Sequence, residues 1–551
     1  MFIYVGSNCI PMHLKIKRIK GHCYLYLIEN QRVDGKVKQV RQVCVGNADK
    51  VQALLEGPKD LKVASFSFGK PAALLLAAQE LGLMESLDAR LGRKQMRGLR
   101  PSEYLMLALI GRAERAQSRS ALAAYFQRSA LQFVLEPEHS LQAQNFLNYM
   151  ERLDEEVIER VEADVSASLK AKGYRPSALI FDTTNFYTYV EEGYACKGCS
   201  KDKRYDRNLV GVGLTISREA LPFQSFAYEA NMHDSRVFSE AIDGITRRLR
   251  ELDAEEVLMI IDRGMLSADN LDRMQGMRFL SSLPYPLARE FHSLPLEAYE
   301  ETWQRGEDTL RAHRASGAFY GREVTVVIKH NPATERRQRH EWERSKARIL
   351  EKVQELRSSL AREGRGRRIT AKGLINRLVD AIPRQHRGLF RYKALEVEGE
   401  LRLDFALDEE AERALLGSLG KTVLITDDAG MSTREIVEAY VARNEAEEGF
   451  KYLKGRLIMP LKPMYVRTEG SVRAHVFLCV LGLLLYNFLL LRLREKGIVL
   501  SLPALAGLLE DVRLSLVCDG LRKPRFVIED MDAKAFAVFE ALDLKRLMPS
   551  A

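Results

Sequence analysis

Four polar residues lie close together in the C-terminal third of the chain: Tyr440, Arg443, Glu447 and Lys454. At about 100° per residue they fall within an arc of roughly 60° on one helix. A stripe facing a core would carry Leu and Val there, whereas this one carries a phenol, an acid and two cations. The alternative is a solvated face. Ser432, Thr433, Arg434 and Glu435 have the S/T-x-x-E form of a capping box, which predicts a helix running from there through at least Lys454. Two further carboxylates stand out by context. Asp182 follows the apolar run Ala178 to Phe181, and Asp262 follows Val257 to Ile261. A carboxylate at a strand's end sits at the sheet rim, where ligands of open α/β sheets bind. An aspartate after a strand also serves as a turn residue or helix cap, so neither acid decides the matter alone.

Other residues with chemical capacity carry less. His233 lies in a loop between a predicted strand and a predicted helix, and Asp234 fits the N-cap of that helix. Cys196 and Cys199 form a lone C-x-x-C without the second pair of ligands that a structural zinc site needs, so they read as two reduced thiols in a loop. Trp303 and Trp342 are the only tryptophans, and nothing in the sequence gives either a role.

Several elements must hold these groups in place. Residues 1 to about 65 read as short strands around the turn signal Asp34-Gly35. Residues 66–172 read as helices: one from Pro71 to Leu81 stopped at Gly82, one opened by Pro101-Ser102-Glu103, then Ser118 to Phe126, Leu141 to Leu153 and Asp154 to Lys172. Arg112, Arg115, Arg119 and Arg128 make this region positive, either as a solvated face or as a DNA-docking module. From Ala178 the pattern is a run of strands, a helix from Asp234 to Arg250, and another strand at Val257 to Ile261, which suggests a mixed α/β sheet. Residues 335–368 hold 12 Lys/Arg against 6 Asp/Glu. Ile349, Val353, Leu356 and Leu360 recur at helical spacing, so this is an amphipathic helix with a basic outer face. The flexible basic turn Gly364 to Arg368 follows, and strands are expected within 389–405 and from Lys421 to Thr426.

A chain of 551 residues has room for roughly three to five domains. Lys+Arg exceed Asp+Glu by 84 to 75, giving a net charge of +9, which favours an anionic partner such as nucleic acid without proving one. Seven scattered cysteines, an odd count, fit a reducing compartment rather than a disulfide framework. No signal peptide is evident. Val476 to Leu491 is 16 residues long and interrupted by Asn487. A bilayer needs about 20, so a buried core helix and a cytoplasmic protein are expected, with no membrane partner.

At the polar arc the chain resembles a known family. Tyr440-x2-Arg443-x3-Glu447-x6-Lys454 matches the signature of a group of bacterial insertion-sequence transposases of the DDE type. EEGFKYLKGRLIMPLKPMYVRTEGSVRAHVFLC is similar to the stretch after the third acid in that group, and FDTTNFY and IIDRGMLSADNL are similar to the segments around the first and second acids. GCSKDKRYDRNLVGVGL resembles the segment between them, with Lys203 and Tyr205 where His and Pro are usual. Glu448, the rival to Glu447, fails the signature's spacing and lies about 100° round the helix.

The resemblance implies an α/β fold with a ribonuclease H-like catalytic core, interrupted by a strand-containing insertion and preceded by a helical N-terminal DNA-binding region. It implies Asp182, Asp262 and Glu447 as catalytic metal ligands, and Tyr440, Arg443 and Lys454 as groups that bind DNA phosphates. Two Mg²⁺ ions, with Mn²⁺ as a substitute, would serve phosphoryl transfer. The partners implied are double-stranded DNA, as terminal inverted repeats and as target, and a second copy of the chain in the synaptic complex. The organisation expected is a strand-rich segment at 1–65, the helical region at 66–172, the first part of the core at 173–335, the insertion with its basic helix at 336–430, the second part of the core at 431–500 and a helical segment at 501–551. A nuclease of the same fold without strand transfer, or a DNA-binding relative whose catalysis has decayed, are the alternatives. All three acids and the Arg/Lys pair are present, which counts against decay.

Overall fold

A computed structural model describes residues 2–3, 12–33, 35–56, 61–92, 99–136, 141–191, 193–200, 204–254, 256–274, 276–360, 369–397, 400–464, 466–518 and 523–550. Asp34, Lys203 and the basic turn 364–368 lie outside these. The chain divides into two compact units, one of residues 166–451 and one of residues 1–165 with 452–551.

The first unit is built on a nine-stranded mixed sheet. Its strands are β1 (Ala178–Thr188), β2 (Asn208–Ser217), β3 (Pro222–Glu229), β4 (Leu258–Ile261), β5 (Arg278–Ser282), β6 (Glu301–Arg305), β7 (Asp308–Phe319), β8 (Arg322–His330) and β9 (Lys421–Thr426). The spatial order is β6-β7-β8-β9-β5-β4-β1-β2-β3. β1 runs parallel to β4, and β4 to β5, while every other pairing is antiparallel. The central strands read as unbroken apolar runs because both faces are covered. One face, carrying Leu179, Phe181, Met259 and Ile261, packs on helix α1 (Asp234–Glu251) through Val237, Phe238, Ile242 and Ile245. The other, carrying Ile180, Ile260, Leu280, Val327 and Leu424, packs on Ile436, Val437 and Tyr440. Gly211 and Gly213 of β2 lie under the rings of Tyr228 and Phe226, where a Cβ would collide.

Two features differ from the sequence reading. The three strands between residues 301 and 330 were not foreseen; their alternation is masked by arginines and glutamates on half-exposed faces. Lys421–Thr426 is a strand of the main sheet, wedged between β8 and β5, rather than part of the insertion. Val423, Leu424 and Ile425 are fully buried there, which a peripheral strand would not allow.

The insertion has its own core. Helix α2 (Pro332–Leu360) buries Trp342, Ile349, Val353 and Leu356 against Leu374, Leu378, Phe390 and Leu403, with the hairpin Phe390–Val397 and Glu400–Leu407 beside it. The amphipathic spacing of α2 is as expected. Its outer face is less basic than its composition, because Arg336 pairs with Asp308, Arg339 with Glu335, Lys346 with Glu412 and Lys352 with Glu355.

In the second unit the strands Met12–Ile19, His22–Val33 and Lys36–Asn47 form an antiparallel meander. The expected helices follow at Gly69–Glu80, Pro101–Glu114, Arg119–Phe126, Ala143–Glu151 and Glu155–Ala171. Arg112 is not a docking residue: it is 4% exposed and donates to the Pro460 and Pro463 carbonyls. Arg115 and Arg128 are exposed. Helix Glu469–Glu495 is long and apolar enough to cross a membrane, yet 83% of its most apolar window is buried inside the protein. It contacts the helices Gly69–Glu80, Pro101–Glu114 and Ala143–Glu151, as a core helix does. The C-terminal segment is not all helical. Arg513–Cys518 pairs with Arg525–Ile528 and with Lys62–Ser67, since Leu514 is buried at the centre of that small sheet.

Candidate active site

Strand register brings the first two acids together. Phe181 of β1 is the partner of Ile261 of β4 in a parallel pairing, so Asp182 and Asp262 occupy the next matched positions on adjacent strands, where strands lie about 4.8 Å apart. Side chains alternate along a strand. Ile180 and Ile260 lie in the cluster that holds Tyr440, and Asp182 and Asp262, two residues on, project from that same face. Asp182 does not end its strand: β1 continues to Thr188 because residues 183–188 still pair with β2. What ends at Asp182 is the pairing with β4, and that opening exposes the two carboxylates.

The third acid comes from the helical segment over this face. Helix α3 (Thr433–Val441) starts in the capping box, with the Ser432 N–H donating to Glu435 at 2.8 Å and the Glu435 N–H donating to the Ser432 hydroxyl at 3.3 Å. It buries Ile436, Val437, Ala439 and Tyr440. The expected single helix is two: the chain turns at Ala442, and α4 runs Arg443–Lys454. Ala442 keeps right-handed dihedrals (φ −59°, ψ −16°), so Arg443 still reaches back to Tyr440.

Arg443 is the hub. Its Nη1 donates to Asp262 Oδ1 at 2.8 Å and to the Tyr440 hydroxyl at 3.0 Å, and its Nη2 donates to Glu447 Oε1 at 3.1 Å. Burial opposes its charge, but Tyr440, Asp262, Glu447 and Asp182 more than offset that, so its pKa lies above the usual arginine value. Burial raises the Tyr440 phenol, while Arg443 and a bond to Ser282 pull it down. Glu448 pairs with Lys451 at 3.6 Å instead. Lys454 is the half-buried last residue of α4 and falls within the other unit.

Two groups, Thr183 and Lys329, escaped the sequence reading, and Asp234 was read in another role. The Thr183 N–H donates to Asp182 Oδ1, and the Thr183 hydroxyl donates to Asp234 Oδ1, both at 2.8 Å. Asp234 is therefore not the N-cap, a position His233 takes; it is the first residue of α1, on the opposite sheet face. A hydroxyl one residue after an acid was the available signal. Lys329, on β8, sits over the Tyr440 ring at 5.7 Å. The remaining candidates are not drawn in. His233 is exposed. Cys196 and Cys199 are free thiols, and the Cys196 backbone bridges to Leu209. Trp342 donates to Glu412 in the insertion core, and Trp303 packs on the cluster beneath Tyr440.

Among the described residues, no three His, Cys, Asp or Glu stand close enough to hold one metal ion. The donor chemistry nonetheless fits a hard divalent cation: the groups are carboxylate oxygens, those of Asp262 and Glu447 are 40% and 46% exposed, and they already share one cation in Arg443.

The family model described as a transposase DDE domain matches residues 173–488, more than half of the chain. No curated protein matches it. A cryo-EM structure of the piggyBac transposase synaptic complex with hairpin DNA aligns over 82% of each chain at 9% identity, with a TM-score of 0.35.

Proposed function

The chain belongs to the DDE transposase family, and on that premise we propose that Asp182, Asp262 and Glu447 form the centre that cuts and joins DNA at the terminal inverted repeats of its element. The observation that carries this reading is the sharing of one guanidinium by two acids, since Arg443 donates to both Asp262 and Glu447, with Asp182 at the matched position on the strand beside Asp262. The partial strand order β3-β2-β1-β4-β5, with an antiparallel meander beside two parallel strands, supports a ribonuclease H-like core.

Asp182, Asp262 and Glu447 would hold divalent ions, Mg²⁺ as a pair with Mn²⁺ as a substitute. Bound there, such ions supply activation of water or a 3′-hydroxyl and stabilisation of the leaving oxygen. Arg443 balances the acids' charge in the free protein, and with that charge met by metal its planar fork can grip a phosphate bidentately. Tyr440 orients Arg443 through its hydroxyl. Lys454, about two turns beyond Glu447, adds a point charge for a neighbouring phosphate. Joining two ends requires two copies of the chain, acting in the cytoplasm.

The test is a cleavage assay on a labelled duplex carrying one end of the element. Cleavage with Mg²⁺ that stops in EDTA supports the reading, and joining of the cut end to a target plasmid separates a transposase from a nuclease. Cleavage unaffected by EDTA would overturn the metal assignment.

A further inference from the structure

Lys329 lies on the same sheet face as Asp182 and Asp262, because Val327, two residues before it, joins the cluster that holds Tyr440. Its ammonium stands over the Tyr440 ring at 5.7 Å, and the Arg443 guanidinium stands over that ring at 5.2 Å. Arg305, the last residue of β6, contributes a further positive charge. Burial first, then Arg305 and Arg443, push Lys329 down to about 8. No carboxylate among the described residues forms an ion pair with it. Lys329 is half-buried, and an aromatic face offsets only part of the hydration it has lost. Methionine would fill the space without that penalty. The position therefore holds a cation ready for an anion that arrives from outside.

We propose that Lys329, seated on Tyr440 and seconded by Arg305, is an anion subsite that takes a backbone phosphate of the bound DNA, next to the phosphate gripped by Arg443. This rests on the reading of the neighbouring acids as the DNA-cutting centre. One phosphate there meets two like charges at once and relieves part of their repulsion, so the subsite positions the strand on the acid face without reading its sequence.

The experiment compares full-length wild type, Lys329→Met and Lys329→Arg. Each is melted without DNA, titrated with a random-sequence duplex across a salt series, and assayed for cleavage of an element-end duplex at limiting concentration. Lys329→Met is expected to melt at or above wild type, to reduce the slope of log affinity against log salt by about one, and to cleave about tenfold more slowly or worse. Lys329→Arg keeps the charge and should restore the slope. An unchanged slope and rate in Lys329→Met would overturn the subsite. Failure of Lys329→Met to fold would also overturn it, since that makes the lysine structural. If wild type itself does not cleave, the reading of the acids fails, and the salt slope still decides Lys329.

Discussion

Asp182 and Thr183 are neighbours on one strand and serve opposite faces of one sheet. On the Asp182 face the groups are charged and partly open: Arg443 is 25% exposed, Asp262 40% and Glu447 46%. On the Thr183 face the residue is 2% exposed and its hydroxyl donates to Asp234, beside an apolar core of α1 and the sheet. The first face can exchange its partners, because an acid there that loses Arg443 can meet water or metal, and Arg443 can meet phosphate. The second is closed to such exchange, because a buried hydroxyl that loses its acceptor has no ready access to water. The proposed chemistry uses the exchangeable face, and the closed face holds the residue next to Asp182.

That contrast sets the size of each expected effect. Asp262→Asn should reduce cleavage on the order of 10³-fold or more, while thermal melting changes little, since the pair it breaks is partly exposed. A stability loss matching the activity loss would place Asp262 on the closed side of the comparison. Arg443→Ala should slow cleavage about 10²-fold or more. It also strips Asp262 and Glu447 of their shared cation, so Mn²⁺ should raise the melting temperature of this variant more than that of wild type. An equal shift in both would mean that Arg443 and the metal do not compete for the same acids.

The closed face should respond in the opposite proportion. Asp234→Ala leaves the Thr183 hydroxyl buried without its acceptor, and a destabilisation of about 1–3 kcal/mol is expected from denaturant unfolding, with cleavage per folded molecule falling far less than in Asp262→Asn. Asp234→Asn keeps an acceptor and should recover most of the stability. The smallest effect concerns Lys329 and pH. Its folded pKa of about 8 lies below the usual lysine value of 10.5. The unfolded chain therefore holds that proton more tightly, and the position opposes folding most at neutral pH. The penalty fades as pH climbs from about 8 toward 10.5. Any gain in melting temperature from Lys329→Met should shrink over that window, and a gain independent of pH would assign it to packing.

How much of this was legible in the sequence depends on range. Local signals read true: the capping box at Ser432, the stop at Gly82, and the apolar spacing of Ile349, Val353 and Leu356 are set by residues a few positions apart. The polar arc of Tyr440, Arg443 and Glu447 was visible because i,i+3 and i,i+4 neighbours share a helix face, although the turn at Ala442 was not. Partners set by the fold were hidden. Lys421–Thr426 read as one more strand, but only its pairing with β8 and β5 gives it to the main sheet. Asp234 looked like a cap by position and bonds across the chain to Thr183 instead. Lys329 gave no signal, since its strand was not foreseen and only the placing of β8 beside α3 brings it to Tyr440. Arg112 looked like surface charge, and only the carbonyls of Pro460 and Pro463 explain its burial.

The central claim is that Asp182, Asp262 and Glu447 act as one metal-dependent centre. The most direct measurement is cleavage of an element-end duplex in Mg²⁺ by Asp182→Asn, Asp262→Asn and Glu447→Gln, each shown by gel shift to bind that duplex. The account predicts that all three bind and none cleaves, with Glu448→Gln cleaving like wild type. Cleavage at a normal rate by any one of the three would remove that acid from the centre and contradict the account.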